Sequence, residues 1–332
     1  MRLQIGLAIV CGLALFIVLW GAAVAMRTPS PLHDADPPPA AATYQEAVVR
    51  IARLDAAAPA PNPNPDCGTR LLSHGRRTGK AVILLHGLTS CPLQYSDLAP
   101  ELFAEGWNVL VPLLPRHGSK NRRGPGLSGL TAEELDRFAA ELAAIGPALG
   151  ERAVIAGLSA GGAVAARAAS RFSWSRAVLV APCLGILNAG VAGSRVIRNA
   201  ALALPDRFFF WDPREGDSLP GPSYAYTGFS SRALGEVLRL SAAVNGSAPA
   251  TRDVRIVINA NDHSVDRESA LTLARQWKAS GAAVQVFEFS RSEALRHDFI
   301  DPRQLGYKKE RAVPVLRAAI AADDFHPGSG LR

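Results

Sequence analysis

The sequence is short of several things at once. Four cysteines among 332 residues are too few to staple a chain of this size, so a disulfide scaffold is excluded as the source of the fold. Lysine occurs five times and charged residues make up only 20% of the chain. The positive charge is scattered arginine, with no run longer than a pair such as Arg122-Arg123 or Lys308-Lys309. A nucleic-acid groove clusters its cations to neutralise many phosphates, so the net charge of +7 does not make this a nucleic-acid binder. Metal-site Cys/His spacing, a phosphate-loop lysine and a dinucleotide glycine pattern are missing, so no metal site and no phosphate-binding turn is expected, and there is no internal repeat. What the chain has in quantity is apolar residues, at 48%. That excludes a disordered protein and leaves room for a large core.

The apolar residues are unevenly spread. Residues 3–25 carry no charged side chain, with Arg2 before the run and Arg27 after it. As a helix this run is long enough to cross a hydrocarbon core. Ala23-Val24-Ala25 resembles a signal cleavage site. A cleavable apolar region, however, usually spans about 7–15 residues, and this one is longer. The reading is therefore an uncleaved transmembrane anchor over residues 1–27, with the rest of the chain outside the cytoplasm. Secretion after cleavage is the alternative. Lipid attachment at Cys11 is disfavoured by Val10, where a small residue is needed.

Residues 28–66 read as a proline- and alanine-rich spacer, a standoff with one short helical stretch at 44–54. From residue 67 to about 325 the pattern becomes strand, turn, helix, repeated, and a tail covers 326–332. Short Val/Ile/Leu-rich runs at 81–85, 107–111, 152–156, 177–181, 254–258 and 283–287 predict strands buried on both faces. Helical spacing follows at 92–105, 132–149, 160–172, 266–280 and 304–321. Alternation of this kind predicts an α/β fold, a mostly parallel sheet with helices on both faces. About seventy residues separate the fourth and fifth runs, far beyond an ordinary crossover. With a predicted helix at 231–244, they read as an inserted cap over about 183–250.

One turn carries chemistry. Gly157-Leu158-Ser159-Ala160-Gly161 lies between a predicted strand and a predicted helix, the setting in which a strained turn lifts a serine hydroxyl above a sheet. Glycines on both sides remove the Cβ atoms that would clash there. A serine needs a base, and in this arrangement the order is serine, acid, histidine. Asp262 follows the 254–258 strand and is the best acid, with Asp266 one helical turn further on. His297 is the histidine after the last strand and is the expected base; His263 precedes that strand and ranks below it. Asp298 reads as a loop-stabilising carboxylate. The oxyanion donors should be the backbone N–H groups of Ala160, after the nucleophile, and Leu88, in the loop after the first strand. His86 and His117 read as residues that brace loops by hydrogen bonding, and His33, His74 and His326 as solvated surface.

Together these segments resemble an α/β-hydrolase, nearest to bacterial carboxylesterases and monoacylglycerol lipases. The residues that carry the likeness are Leu84-Leu85-His86-Gly87-Leu88-Thr89, Val111-Pro112-Leu113-Leu114-Pro115-Arg116-His117-Gly118, Gly157-Leu158-Ser159-Ala160-Gly161, Asn261-Asp262 and His297-Asp298. The resemblance implies cleavage of a small-molecule carboxylic ester, no cofactor, and a cap over the acyl pocket. Arg116 departs from it, because these relatives usually carry glycine there; near the entrance, it puts the usual substrate preference in question. A peptidase or acyltransferase with the same triad remains open, as does a binding protein on the same fold. Phe208-Phe209-Phe210-Trp211 either favour an apolar acyl group or simply pack the cap onto the sheet. Outside the cytoplasm, Cys67 and Cys91 either form a bridge or stay free with Cys183, which follows a strand end and could line the pocket.

Overall fold

The computed structural model describes residues 21, 23, 26–27, 29–57, 59–244 and 248–323. The expected anchor therefore lies outside the described residues but for a few positions at its end, and the tail 326–332, with His326, lies outside them entirely. Among the described residues no helix is long and apolar enough to cross a membrane.

The strands among the described residues are β1 (Arg70–Leu72), β2 (Thr78–Leu85), β3 (Asn108–Val111), β4 (Gly150–Leu158), β5 (Arg176–Val180), β6 (Phe208–Phe210), β7 (Gly228–Ser230), β8 (Asp253–Asn259) and β9 (Ala283–Phe289). Seven of them make one sheet in the order β1-β3-β2-β4-β5-β8-β9, parallel except for β1 at one edge. All six predicted strands are present. Their unbroken apolar runs suit a sheet covered on both sides: Val82, Leu84, Val154, Ile155, Val178, Leu179 and Ile256 are fully buried.

The helices described in full are α1 (Tyr44–Ile51), α2 (Leu54–Ala57), α3 (Leu98–Ala104), α4 (Ala132–Leu149), α5 (Ala160–Arg171), α6 (Gly190–Ala203), α7 (Ser231–Ala242), α8 (Arg267–Ala279) and α9 (Lys309–Ala321). α4 begins at a capping box, in which Glu134 N donates to Thr131 Oγ1 and Thr131 N to Glu134 Oε2. α5 packs on β4, β5 and α4, while α9 packs on α3, β5 and β8. The long connection after β5 holds α6, the β6–β7 hairpin and α7. The sequence pattern showed α7 but neither α6 nor the hairpin.

Residues 29–66 do not stand off from this domain. Ala47 and Ile51 of α1 are buried in its core. Arg50 makes a two-pronged bond to Glu141 of α4, at 2.7 and 2.8 Å. Ala35 N donates to Asp136 Oδ2 (2.8 Å), and Ala41 N to Ala144 O (2.9 Å). Asp136 is fully buried and also bonds Arg167 and Arg171, which reach Asp34 as well. The stretch 29–40, rich in proline, holds no helix or strand. The apolar side chains between the prolines, and the buried charges of α4 and α5, nevertheless dock the segment.

Candidate active site

β4 delivers the chain to Ser159, which lies between that strand and α5 with φ 56° and ψ −115°. A non-glycine residue there is strained by roughly 1–3 kcal/mol and persists only where its surroundings hold it. Ser159 N donates to Val180 O (3.0 Å), and the Ser159 carbonyl accepts from Ala163 N and Cys183 N, both at 2.9 Å. Space dictates the flanking glycines. A Cβ on Gly157 would stand 2.2 Å from Gly161 O, and one on Gly161 would stand 2.2 Å from Leu85 O.

β8 and β9 run in parallel to the pair Asn259–Phe289, so the loops that follow them emerge side by side. These loops carry Asp262 and His297. His297 Nδ1 lies 2.6 Å from Asp262 Oδ2. The other carboxylate oxygen accepts from Ser264 N (2.7 Å) and Val265 N (3.1 Å). Burial opposes charge on His297, but the Asp262 carboxylate outweighs it and holds the imidazole above its ordinary value. Burial also opposes charge on Asp262, and His297 with the two N–H donors holds this carboxyl below its ordinary value. With Nδ1–H committed to Asp262, Nε2 is the nitrogen left to take a proton. His263, by contrast, is exposed, and Asp266 caps α8 through Glu268 N and Ser269 N.

Ser159, Ala160, Leu88 and His297 line one cavity of about 160 Å³. Larger clefts of about 750 and 790 Å³ run beside residues 26–37 and hold none of these groups. Ala160 opens α5, so its N–H has no partner within the helix. The loop after β2 comes close: a Cβ on Gly87 would lie 3.7 Å from Ser159 Cβ. Two buried histidines shape that loop. His86 Nε2 accepts from Leu114 N (3.0 Å), which leaves Nδ1–H to donate to Gly87 O (2.9 Å). Gly87 O belongs to the same peptide unit as the Leu88 N–H, so this bond sets the direction of that donor. His117 Nε2 lies 2.8 Å from Leu88 O, in the next peptide unit. Burial, with His117 nearby, keeps His86 well below its ordinary value and hence neutral, as its acceptor role requires.

The cap supplies Ile186, Trp211, Phe229 and Leu234 to the cavity wall, with the Trp211 and Phe229 rings 4.8 Å apart. Of the aromatic run, only Trp211 faces the cavity; Phe208 and Phe210 build the hairpin and Phe209 is exposed. Cys183 does line the cavity and is a free, buried thiol that burial pushes up to about 12. Cys67 and Cys91 are joined as a disulfide. Arg116 does not face the cavity. It sits at φ 65°, the left-handed region in which glycine is easiest, and its guanidinium is turned to Glu134 at 2.7–3.0 Å. Among the described residues no cluster of His, Cys, Asp or Glu is placed to hold a metal.

The sequence reading missed Gln94. Its side chain accepts from Gly87 N (2.9 Å) and donates to Asp298 Oδ2 (2.8 Å), across 204 positions of chain. Nothing local in the sequence marks such a contact.

A strained serine on a strand-to-helix turn, a paired acid and base after later strands, and a cap over the strand ends define an α/β-hydrolase. The sequence profile of the alpha/beta hydrolase family matches residues 82–301, and the chain belongs to that family. No curated protein matches the sequence. Among solved structures, it is similar to one of two metagenome-derived lipolytic enzymes, LipS and LipT (18% identity, 71% of this chain and 94% of that one, TM-score 0.52). It is also similar to a monoacylglycerol lipase from Paleococcus ferrophilus (17% identity, 67% and 88%, TM-score 0.51). At such identities the likeness is one of fold.

Proposed function

We propose that this protein is a serine hydrolase that cleaves carboxylic esters. The observation that carries the reading is the 2.6 Å His297–Asp262 pair, whose histidine lines the same cavity as strained Ser159. Ser159 Oγ attacks the ester carbonyl carbon while His297 Nε2 takes its proton. The Leu88 and Ala160 N–H groups hold the oxyanion, and Asp262 stabilises the imidazolium. His297 then gives the proton to the leaving alcohol, and water repeats the sequence on the acyl-enzyme. Trp211, Phe229, Leu234 and Ile186 support a substrate with an apolar acyl group. Ser159→Ala should abolish aryl-ester turnover and labelling by a fluorophosphonate. Labelling that persists in the variant would remove Ser159 from the reaction.

The location we propose is outside the cytoplasm, on a membrane anchor at residues 1–27. Two features support it: the uncharged run 3–25, and a Cys67–Cys91 disulfide of the kind that persists in oxidising compartments.

A further inference from the structure

We propose that Gln94 and Asp298 are positioning residues for this reaction, the Gln94 amide tying the loop of the Leu88 donor to the loop of His297. The proposal rests on the Ser159–His297–Asp262 reading. Gly87 N offers a proton and Asp298 offers lone pairs, 2.9 and 2.8 Å from the two ends of one side chain. Only a group with an acceptor at one end and a donor at the other satisfies both, and the amide is fixed in one orientation. Gln94 is 1% exposed, so water does not replace either bond.

Asp298 is surrounded by hydrogen-bond donors. Its Oδ1 accepts from Ile300 N (3.3 Å) and Asp301 N (3.2 Å), and its Oδ2 from Gln94, so it meets donors on both sides. The neighbouring carboxyl, Asp301, accepts Tyr224 O–H and Arg303 N–H. Burial raises Asp298, with the Gln94, Asp301 N and Ile300 N donors and His297 working against it, and burial and the Asp298 charge push Asp301 up to about 7. The other titratable or charged groups facing this pair are His297, Tyr224, Tyr95, Tyr307 and Arg303, with Asp262 across the imidazole. When ionised, Asp298 next to His297 favours the imidazolium that forms when Ser159 gives up its proton.

The polarity of the brace is testable by reversing it. In Gln94→Glu two carboxylates face each other; in Asp298→Asn an N–H group meets another N–H at Gln94, at Gly87 or, with the new amide turned round, at Ile300 and Asp301. In the double variant the amide introduced at position 298 donates to the carboxylate introduced at position 94, which still accepts from Gly87. With an aryl acetate and the full chain, each single variant should lower kcat/KM about ten- to hundredfold, mainly in kcat. The double variant should recover most of that loss. The acid limb of the pH profile should move to higher pH in Gln94→Glu, which adds negative charge near His297. It should move to lower pH in Asp298→Asn, which removes it. A double variant no better than the worse single one overturns the proposal, as does an acid limb unmoved in both, or activity losses that follow the thermal midpoint in all three. Failure of the triad reading is separate, because it shows in the unmodified protein as absence of fluorophosphonate labelling at Ser159.

Discussion

Ser159 owes its place to two atoms that are missing, the Cβ atoms of Gly157 and Gly161. Each would collide with backbone at 2.2 Å, one with the turn itself and one with β2. The same approach that forces glycine also brings the Leu88 loop over the serine, so one packing constraint places both the proposed nucleophile and the proposed oxyanion donors. His297 has to be neutral to act as a base, and its folded value lies above the ordinary 6.5 because the neighbouring Asp262 charge outweighs burial. Activity should therefore be present at alkaline pH and fall as pH drops through a point above that value. Asp262→Asn should lower the rate roughly a thousandfold or more and move this limb to lower pH. Rate profiles of the two proteins across the neutral range check both parts; a limb that stays in place in Asp262→Asn counts against the pairing.

Among elements, the six central strands were legible because each is a continuous apolar run bounded by turns. The three residues of the proposed triad were found the same way, since they sit just past the ends of β4, β8 and β9. Three classes of feature were not legible. β1 is three residues long and pairs antiparallel at an edge, so it has no run to recognise. In the cap, β6 is defined by pairing with β7 rather than by its own pattern. The Gln94 amide joins loops 204 positions apart. The disulfide was open from sequence because only its geometry separates it from two buried thiols. It joins the start of the domain to the loop that follows β2, closing 24 positions. Cys67→Ser/Cys91→Ser should cost about 3 kcal/mol on the chain-entropy account. Urea unfolding of the oxidised protein and the variant gives the difference directly, and equal midpoints would show that the bridge contributes nothing.

For the whole molecule, the largest change from the sequence reading concerns residues 29–66. Expected as a standoff, they bury Ala47 and Ile51, donate a backbone N–H to the buried carboxylate of Asp136 and set Asp34 against the arginines that pair with it. A chain that starts at Cys67 should thus be less stable than one that starts at residue 29, by about 3 kcal/mol or more from the lost apolar burial alone. Comparison of their thermal midpoints tests this, and equal midpoints would restore the standoff. If residues 3–25 do hold the protein at a membrane, this docking leaves little free linker, and the catalytic domain sits close to the surface rather than at the end of a tether. The central claim, that Ser159 carries the substrate's acyl group between two half-reactions, is tested most directly by intact-mass analysis of protein quenched in acid during turnover of an aryl ester. The expected result is a species heavier by one acyl group, with the added mass on the peptide containing Ser159 and absent from Ser159→Ala. An acyl group on any other residue, or turnover with no acylated species when product release shows a burst, would contradict it.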